Sequence, residues 1–193
     1  MSKPMAPTSE MAKGSTRYVA LLRGINVGRA KPVAMTELKE EVEALGFGEV
    51  RTLLRSGNVV FTGEREDPDQ LARAVEAAIE QRFAMKVGVV VRTGDELAAA
   101  VAANPIAEAA GEGSNLHVMF LAGPLTDAER DRIEPKQFEP DVVRIADREV
   151  YVWYRNGMSG SKTAELLDRR IRTLVTDRNW NTIGKLLVLA RDV

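Results

Sequence analysis

Cysteine is absent from the 193 residues. Disulfides, thiolate nucleophiles and thiolate metal sites are therefore excluded. A single histidine, His117, leaves no means of building a histidine-rich zinc or iron centre within one chain. Any Ser-His-Asp triad would have to use it too. It sits within the apolar run Leu116 to Leu121, where a histidine bonded inside a strand is the plainer reading. The formal net charge is −1, so no global field draws in nucleic acid or an acidic membrane. No apolar run approaches the ~20 residues that span a bilayer. Met1 to Ser15 lack an apolar signal core and read as a disordered tail, with a cytoplasmic location as the expectation. Carboxylates fall mostly on solvated helix faces, and no spaced pair points to glycoside-type chemistry. No catalytic residue or cofactor can be assigned from this inventory, and no metal is expected.

What is present begins with Arg23-Gly24-Ile25-Asn26-Val27-Gly28, which follows the strand-like run Tyr18 to Leu22 and leads towards Arg29 and Lys31. Glycine and asparagine free the backbone there, and the cations suit an anion. The glycine spacing is not that of a dinucleotide fingerprint.

The remaining elements are marked by their ends. A strand is expected over 18–23, then a helix capped by Thr36 that buries Leu38, Val42 and Leu45. Strands near 50–54 and 59–62 flank the turn Arg55-Ser56-Gly57-Asn58. A helix capped by Asp67 and a strand over 87–91 complete a β-α-β-β-α-β run. Thr93 and Glu96 form a capping box for a further short helix, so the first unit covers 16–104, and 105–115 reads as a linker. The second unit, 116–193, repeats the pattern. It has strands at 116–122, 142–146, 149–154 and 173–176, helices starting at Thr126 and near Ser161, and a terminal helix.

The expected fold class is α+β: two tandem ferredoxin-like plait units plus a C-terminal helix, each sheet ordered 4-1-3-2. That order brings Arg23–Gly28 to the Arg55–Asn58 turn, and Asn156–Thr163 to Asp177–Thr182.

Arg23 to Gly28, Ser56-Gly57-Asn58-Val59-Val60-Phe61, Ser161-Lys162, and Thr176 to Thr182 together resemble the bacterial family called domain of unknown function 1697, over about Tyr18 to Ala190. The resemblance implies an α/β protein of plait-like units and carries no catalytic residue, cofactor or substrate. Two departures stand out. Arg29 occupies the place of a second glycine, and Asp177 often has threonine as its counterpart.

The candidate ligand contacts are Arg23, Gly24, Asn26, Gly28, Ser56, Gly57, Asn58, Ser161, Lys162, Arg178, Asn179 and Lys185. Each has a plainer alternative: Asn58 as a turn residue, Ser161 and Asn179 as helix caps, Trp180 as core. The Gly157–Thr163 stretch fails the P-loop spacing, but free amides and Lys162 at a helix start still suit an anion. Tyr151, Trp153 and Arg155 share one strand face, read as an interface between sheets or subunits, or as a platform for RNA bases. The leading expectation is a binder of a phosphate- or carboxylate-bearing small molecule. A homodimerisation or protein-interaction module is the alternative, and RNA binding comes third.

Overall fold

A computed structural model describes residues 15–26 and 32–191. The expected tail lies outside these residues except for Ser15, as do Gly28, Arg29 and Lys31. The chain order is β1 (Thr16–Leu22), α1 (Met35–Ala44), β2 (Gly48–Leu53), β3 (Asn58–Gly63), α2 (Pro68–Phe83), β4 (Val89–Thr93) and α3 (Gly94–Ala102). It continues with β5 (Leu116–Leu121), α4 (Asp127–Asp131), β6 (Val142–Ile145), β7 (Glu149–Trp153), α5 (Thr163–Arg170), β8 (Val175–Asn179) and α6 (Trp180–Arg191). Two four-stranded antiparallel sheets result, ordered β2-β3-β1-β4 and β6-β7-β5-β8.

Burial explains why the central strands read as unbroken apolar runs. Tyr18, Ala20 and Leu22 face Leu38, Leu71 and Ile79 of α1 and α2. Val19 and Leu21 point the other way, into an apolar layer shared with Val118, Phe120 and Tyr151 of the second sheet. Both faces of β1 are thus covered, and alternation has no solvent side to show. The last helix belongs to this shared layer. Ile183, Leu186 and Ala190 of α6 pack there with Leu97 and Ala100 of α3.

Some expectations change. The helix start at Thr36 moves to Met35, with no side-chain cap, and Leu45 is exposed just past its end. The stretch 105–115 is not a free connection. Ile106 and Ala109 are buried in the shared layer, and Gly113 accepts the Asn181 amide at 3.1 Å. The Tyr151–Trp153 face is internal: Tyr151 is fully buried and donates its hydroxyl to the Ala100 carbonyl at 2.6 Å. The two sheets of one chain form the expected interface, leaving that face unavailable to a second subunit or to stacking bases. Arg155 stacks over Trp153, 3.6 Å from the ring centroid.

The capping boxes at Thr93/Glu96 and Thr126/Glu129 both form. Glu129 does more than cap. Its carboxylate accepts from the amide and hydroxyl of Thr126 and from the amides of Arg172 (2.6 Å) and Thr173 (3.2 Å), tying α4 to the approach of β8. These donors, the Thr126 amide foremost, hold its pKa down at about 2.

Candidate functional site

The strand expected at 173–176 lies at Val175–Asn179, so Asp177 to Asn179, too polar to read as strand from sequence, make up most of β8. Strand geometry sends successive side chains to opposite faces, and the two charges part company. Arg178 enters the seam between the halves. Asp177 turns towards His117.

Arg178 is 7% exposed and makes five hydrogen bonds. Its Nε donates to Asn58 Oδ1 (2.5 Å), one terminal nitrogen to its neighbour Asp177's carbonyl (2.6 Å), and the other to the carbonyls of Leu22 (2.7 Å), Ser56 (3.1 Å) and Gly57 (3.1 Å). Burial pulls its pKa down to about 10, with the nearby charge of Asp177 opposing, so it stays charged at neutral pH. Asn58, fully buried, donates in turn to Leu53 O (2.8 Å) and Ser56 Oγ (3.1 Å).

The same construction occurs in reverse on the other side of the molecule. Arg92, one residue before the Thr93 cap as Arg178 is one before the Asn179 cap, donates to its neighbour Val91's carbonyl (3.1 Å), to Leu121 O (2.7 Å) and to Arg148 O (3.3 Å), with Glu149 Oε1 at 3.5 Å. Leu22 and Leu121 end the first strand of each half, and each bonds the hairpin residue just before β3 or β7, Gly57 or Arg148. Asn58 and Glu149 open those strands. Each half therefore inserts one arginine into the equivalent strand-end and hairpin of the other. The halves show no evident sequence identity, so this reciprocity was hidden; only the position of an arginine one residue before a helix cap hinted at it.

Four expected ligand contacts consequently serve the seam. Arg178 and Asn58 hold each other, and the Ser56 and Gly57 carbonyls take the guanidinium. Asn26, with φ of 55°, donates to Arg55 O (2.8 Å) and Val33 O (3.0 Å) and accepts from the Val33 amide (2.8 Å). The meeting of the first loop with the 55–58 turn is therefore realised, by an asparagine that closes the loop's base. Asn179 accepts from the Thr182 amide at 2.9 Å and caps α6, and Trp180 packs against the shared core.

The second pair of segments meets only in part. Met158 reaches the neighbourhood of Asp177 and Arg178, whereas Lys162 lines a separate cavity of about 430 Å³. Ser161 is turned to the buried Asp141, which accepts from its hydroxyl (2.6 Å), from Thr163 Oγ1 (2.8 Å) and from the Arg155 amide (2.9 Å). Ser161 also accepts the Thr163 amide at 3.1 Å, but the helix starts two residues later than expected, with Lys162 at its cap position and no side-chain cap, so the expected Ser161 cap is not formed. Lys185 is exposed on α6 and lines neither cavity.

Beside the Arg178 seam lies a cleft of about 450 Å³ with walls from both halves. Arg23, Gly24 and Ser56 contribute from the first half; Tyr154, Asp168, Asp177 and Arg178 from the second. Arg23 is half exposed and pairs with Asp168 at 2.5 Å. Tyr154 is 1% exposed, its hydroxyl has no hydrogen-bond partner among the described residues, and its ring meets His117 edge-on. Burial, reinforced by the charges of Asp177 and Asp141, raises its pKa above the ordinary phenol range.

His117 bonds Asp177 Oδ2 through Nδ1 (2.8 Å) and faces Ser114 O through Nε2 (3.1 Å). Both partners only accept, so these two contacts favour the doubly protonated ring. Burial opposes that charge, but Asp177 and the Ser114 carbonyl outweigh it and raise the pKa above 6.5. A raised folded-state pKa contributes stability that is complete below the unfolded value and lost as pH rises through the folded one. The melting temperature of the wild type should fall relative to His117→Gln as pH rises above the ordinary histidine range, because the folded-state pKa is raised. Parallel curves would show that folding does not raise the pKa of the ring. With one histidine in the chain, its ring NMR signals titrate without overlap.

Among the described residues, no group of three or more histidine, aspartate or glutamate side chains is placed to hold a metal ion, and no helix is long and apolar enough to cross a membrane.

The family model described as protein of unknown function (DUF1697) matches residues 15–151, and the chain belongs to that family. The matched span ends before the Ser161-Lys162 and Thr176–Thr182 motifs. A solved structure of a conserved bacterial protein from Streptococcus pneumoniae is similar at a TM-score of 0.72 and 23% sequence identity, covering 92% of this chain and 100% of that one. At that identity the likeness is one of fold. No curated protein matches.

Proposed function

We propose that this DUF1697 protein binds a small anionic molecule in the cleft between its halves, with Arg23 as the anion's anchor. Each half is read as a ferredoxin-like plait, on the support of its strand order and its β-α-β-β-α-β run. The observation that carries the binding reading is a cleft of about 450 Å³, walled by both halves, with a guanidinium at its rim whose one side-chain partner among the described residues is exposed. That volume suits a small molecule.

Arg23 differs from Arg178 in being free to change partners. An exposed ion pair such as Arg23–Asp168 contributes at most about 1 kcal/mol. A phosphate or carboxylate that accepts two parallel bonds from the guanidinium fork displaces Asp168 at small cost. Arg178 acts here as structure, fixing the distance between the walls.

The test is a thermal-shift titration of inorganic phosphate, phosphate monoesters and small carboxylates against wild type, Arg23→Ala and Lys162→Ala. A ligand at a hundred times its dissociation constant stabilises by about 2.7 kcal/mol. That shift should vanish in Arg23→Ala and persist in Lys162→Ala. Loss in Lys162→Ala alone would move the site to the cavity beside Asp141. No shift in wild type with any of these anions would remove the reading.

A further inference from the structure

We infer that the ligand of this cleft is a zwitterion, carrying an amino group as well as its oxyanion; the inference rests on the cleft being the binding site. The acidic side chains do not suit an anion alone. Asp168 and Glu165 stand with Arg23 at the cleft, and Asp177 lies deeper, beside an Arg178 already engaged by five acceptors. A pure anion reaching past Arg23 meets carboxylates.

One carboxylate oxygen is left without a donor. Asp177 Oδ2 is taken by His117, while Oδ1 is shielded from solvent and has no hydrogen-bond partner among the described residues. Buried acceptors in this condition cost free energy and call for an explanation. In the same cleft stands Tyr154, 1% exposed as a residue, whose hydroxyl has no hydrogen-bond partner among the described residues. A donor with positive charge suits both: it pairs with the Asp177 carboxylate, which is a quarter exposed to the cleft, and offers a further N–H to the Tyr154 oxygen. The phenol stays protonated at neutral pH, its pKa being raised, and remains able to accept.

The oxyanion belongs at the rim with Arg23 and the ammonium at depth with Asp177. Between them Met119 and Val175 supply apolar wall. The ligand class is therefore a short skeleton with an acidic group at one end and an amine at the other, of amino-acid or amino-phosphate type.

Calorimetric titration with matched probes tests this: phosphoethanolamine against ethyl phosphate, and β-alanine against propionate. The amine-bearing member of a pair should bind at least about tenfold more tightly, a difference of about 1.4 kcal/mol. Asp177→Asn should abolish that preference, and Tyr154→Phe should reduce it while leaving Asp177 and its histidine in place. Amine-free probes that bind as tightly as their partners overturn the zwitterion and leave the anion site standing. If neither member of either pair binds, both readings fall together.

Discussion

Arg178→Lys should lower the melting temperature by roughly 6–20 °C, the range expected for a loss of about 3–5 kcal/mol in a chain of this size. Lysine keeps the charge but loses the planar fork. Four acceptors from the first half converge on Arg178: the carbonyls of Leu22, Ser56 and Gly57, and Asn58 Oδ1. A single ammonium cannot meet acceptors that arrive from different strand ends, and each carbonyl left unpaired in the seam costs about 1–3 kcal/mol. Arg92→Lys should act in the same direction with a smaller effect, since two of its contacts are longer, at 3.3 and 3.5 Å. Differential scanning calorimetry measures both. A shift within a degree or two for Arg178→Lys would show that the halves are held by apolar packing alone.

Gly57→Ala should be the second large loss, at about 2–5 kcal/mol. Gly57 has φ of 74°, where an added Cβ costs about 1–2 kcal/mol. That Cβ would also stand 2.7 Å from Leu22 Cβ and 2.8 Å from the Ile25 side chain, an overpacking of about 1–3 kcal/mol. Gly160 separates the two contributions. Its φ of 85° is equally left-handed, but an added Cβ has nothing within 4 Å, so Gly160→Ala should show the conformational cost alone. Equal losses at the two glycines would mean that the collision at Gly57 is relieved by small shifts. A larger loss at Gly57 confirms that the hairpin is pressed against the end of β1, which is also where Arg178 docks.

Local signals located most of the elements because their causes are local. Asp67 caps α2, Thr93 and Thr126 close capping boxes, and Ser56-Gly57 turns a hairpin, each through bonds between neighbours. Polar strands were harder. Val175 to Asn179 carries four polar or charged residues in succession, and nothing nearby announces that a distant strand-end will accept Arg178. From sequence, Arg178, Asn58, Ser56 and Gly57 all suit a ligand, whereas in the fold three of these groups accept from the fourth. Nothing in the sequence singles out Asp177 or Tyr154 as ligand groups, because an unpartnered carboxylate oxygen or hydroxyl is defined only by what surrounds it.

Composition and short-range pattern by themselves determined that the chain builds two β-α-β-β-α-β runs without thiol chemistry, and which hairpins and caps punctuate them. Tertiary structure alone decided that the halves press sheet to sheet around α3 and α6, that each lends the other an arginine, and that a cleft opens beside one of these arginines. The reason is range: caps and turns are bonds across a few residues, whereas Arg178 and Asn58 are 120 residues apart and acquire their roles only when folding removes water from both.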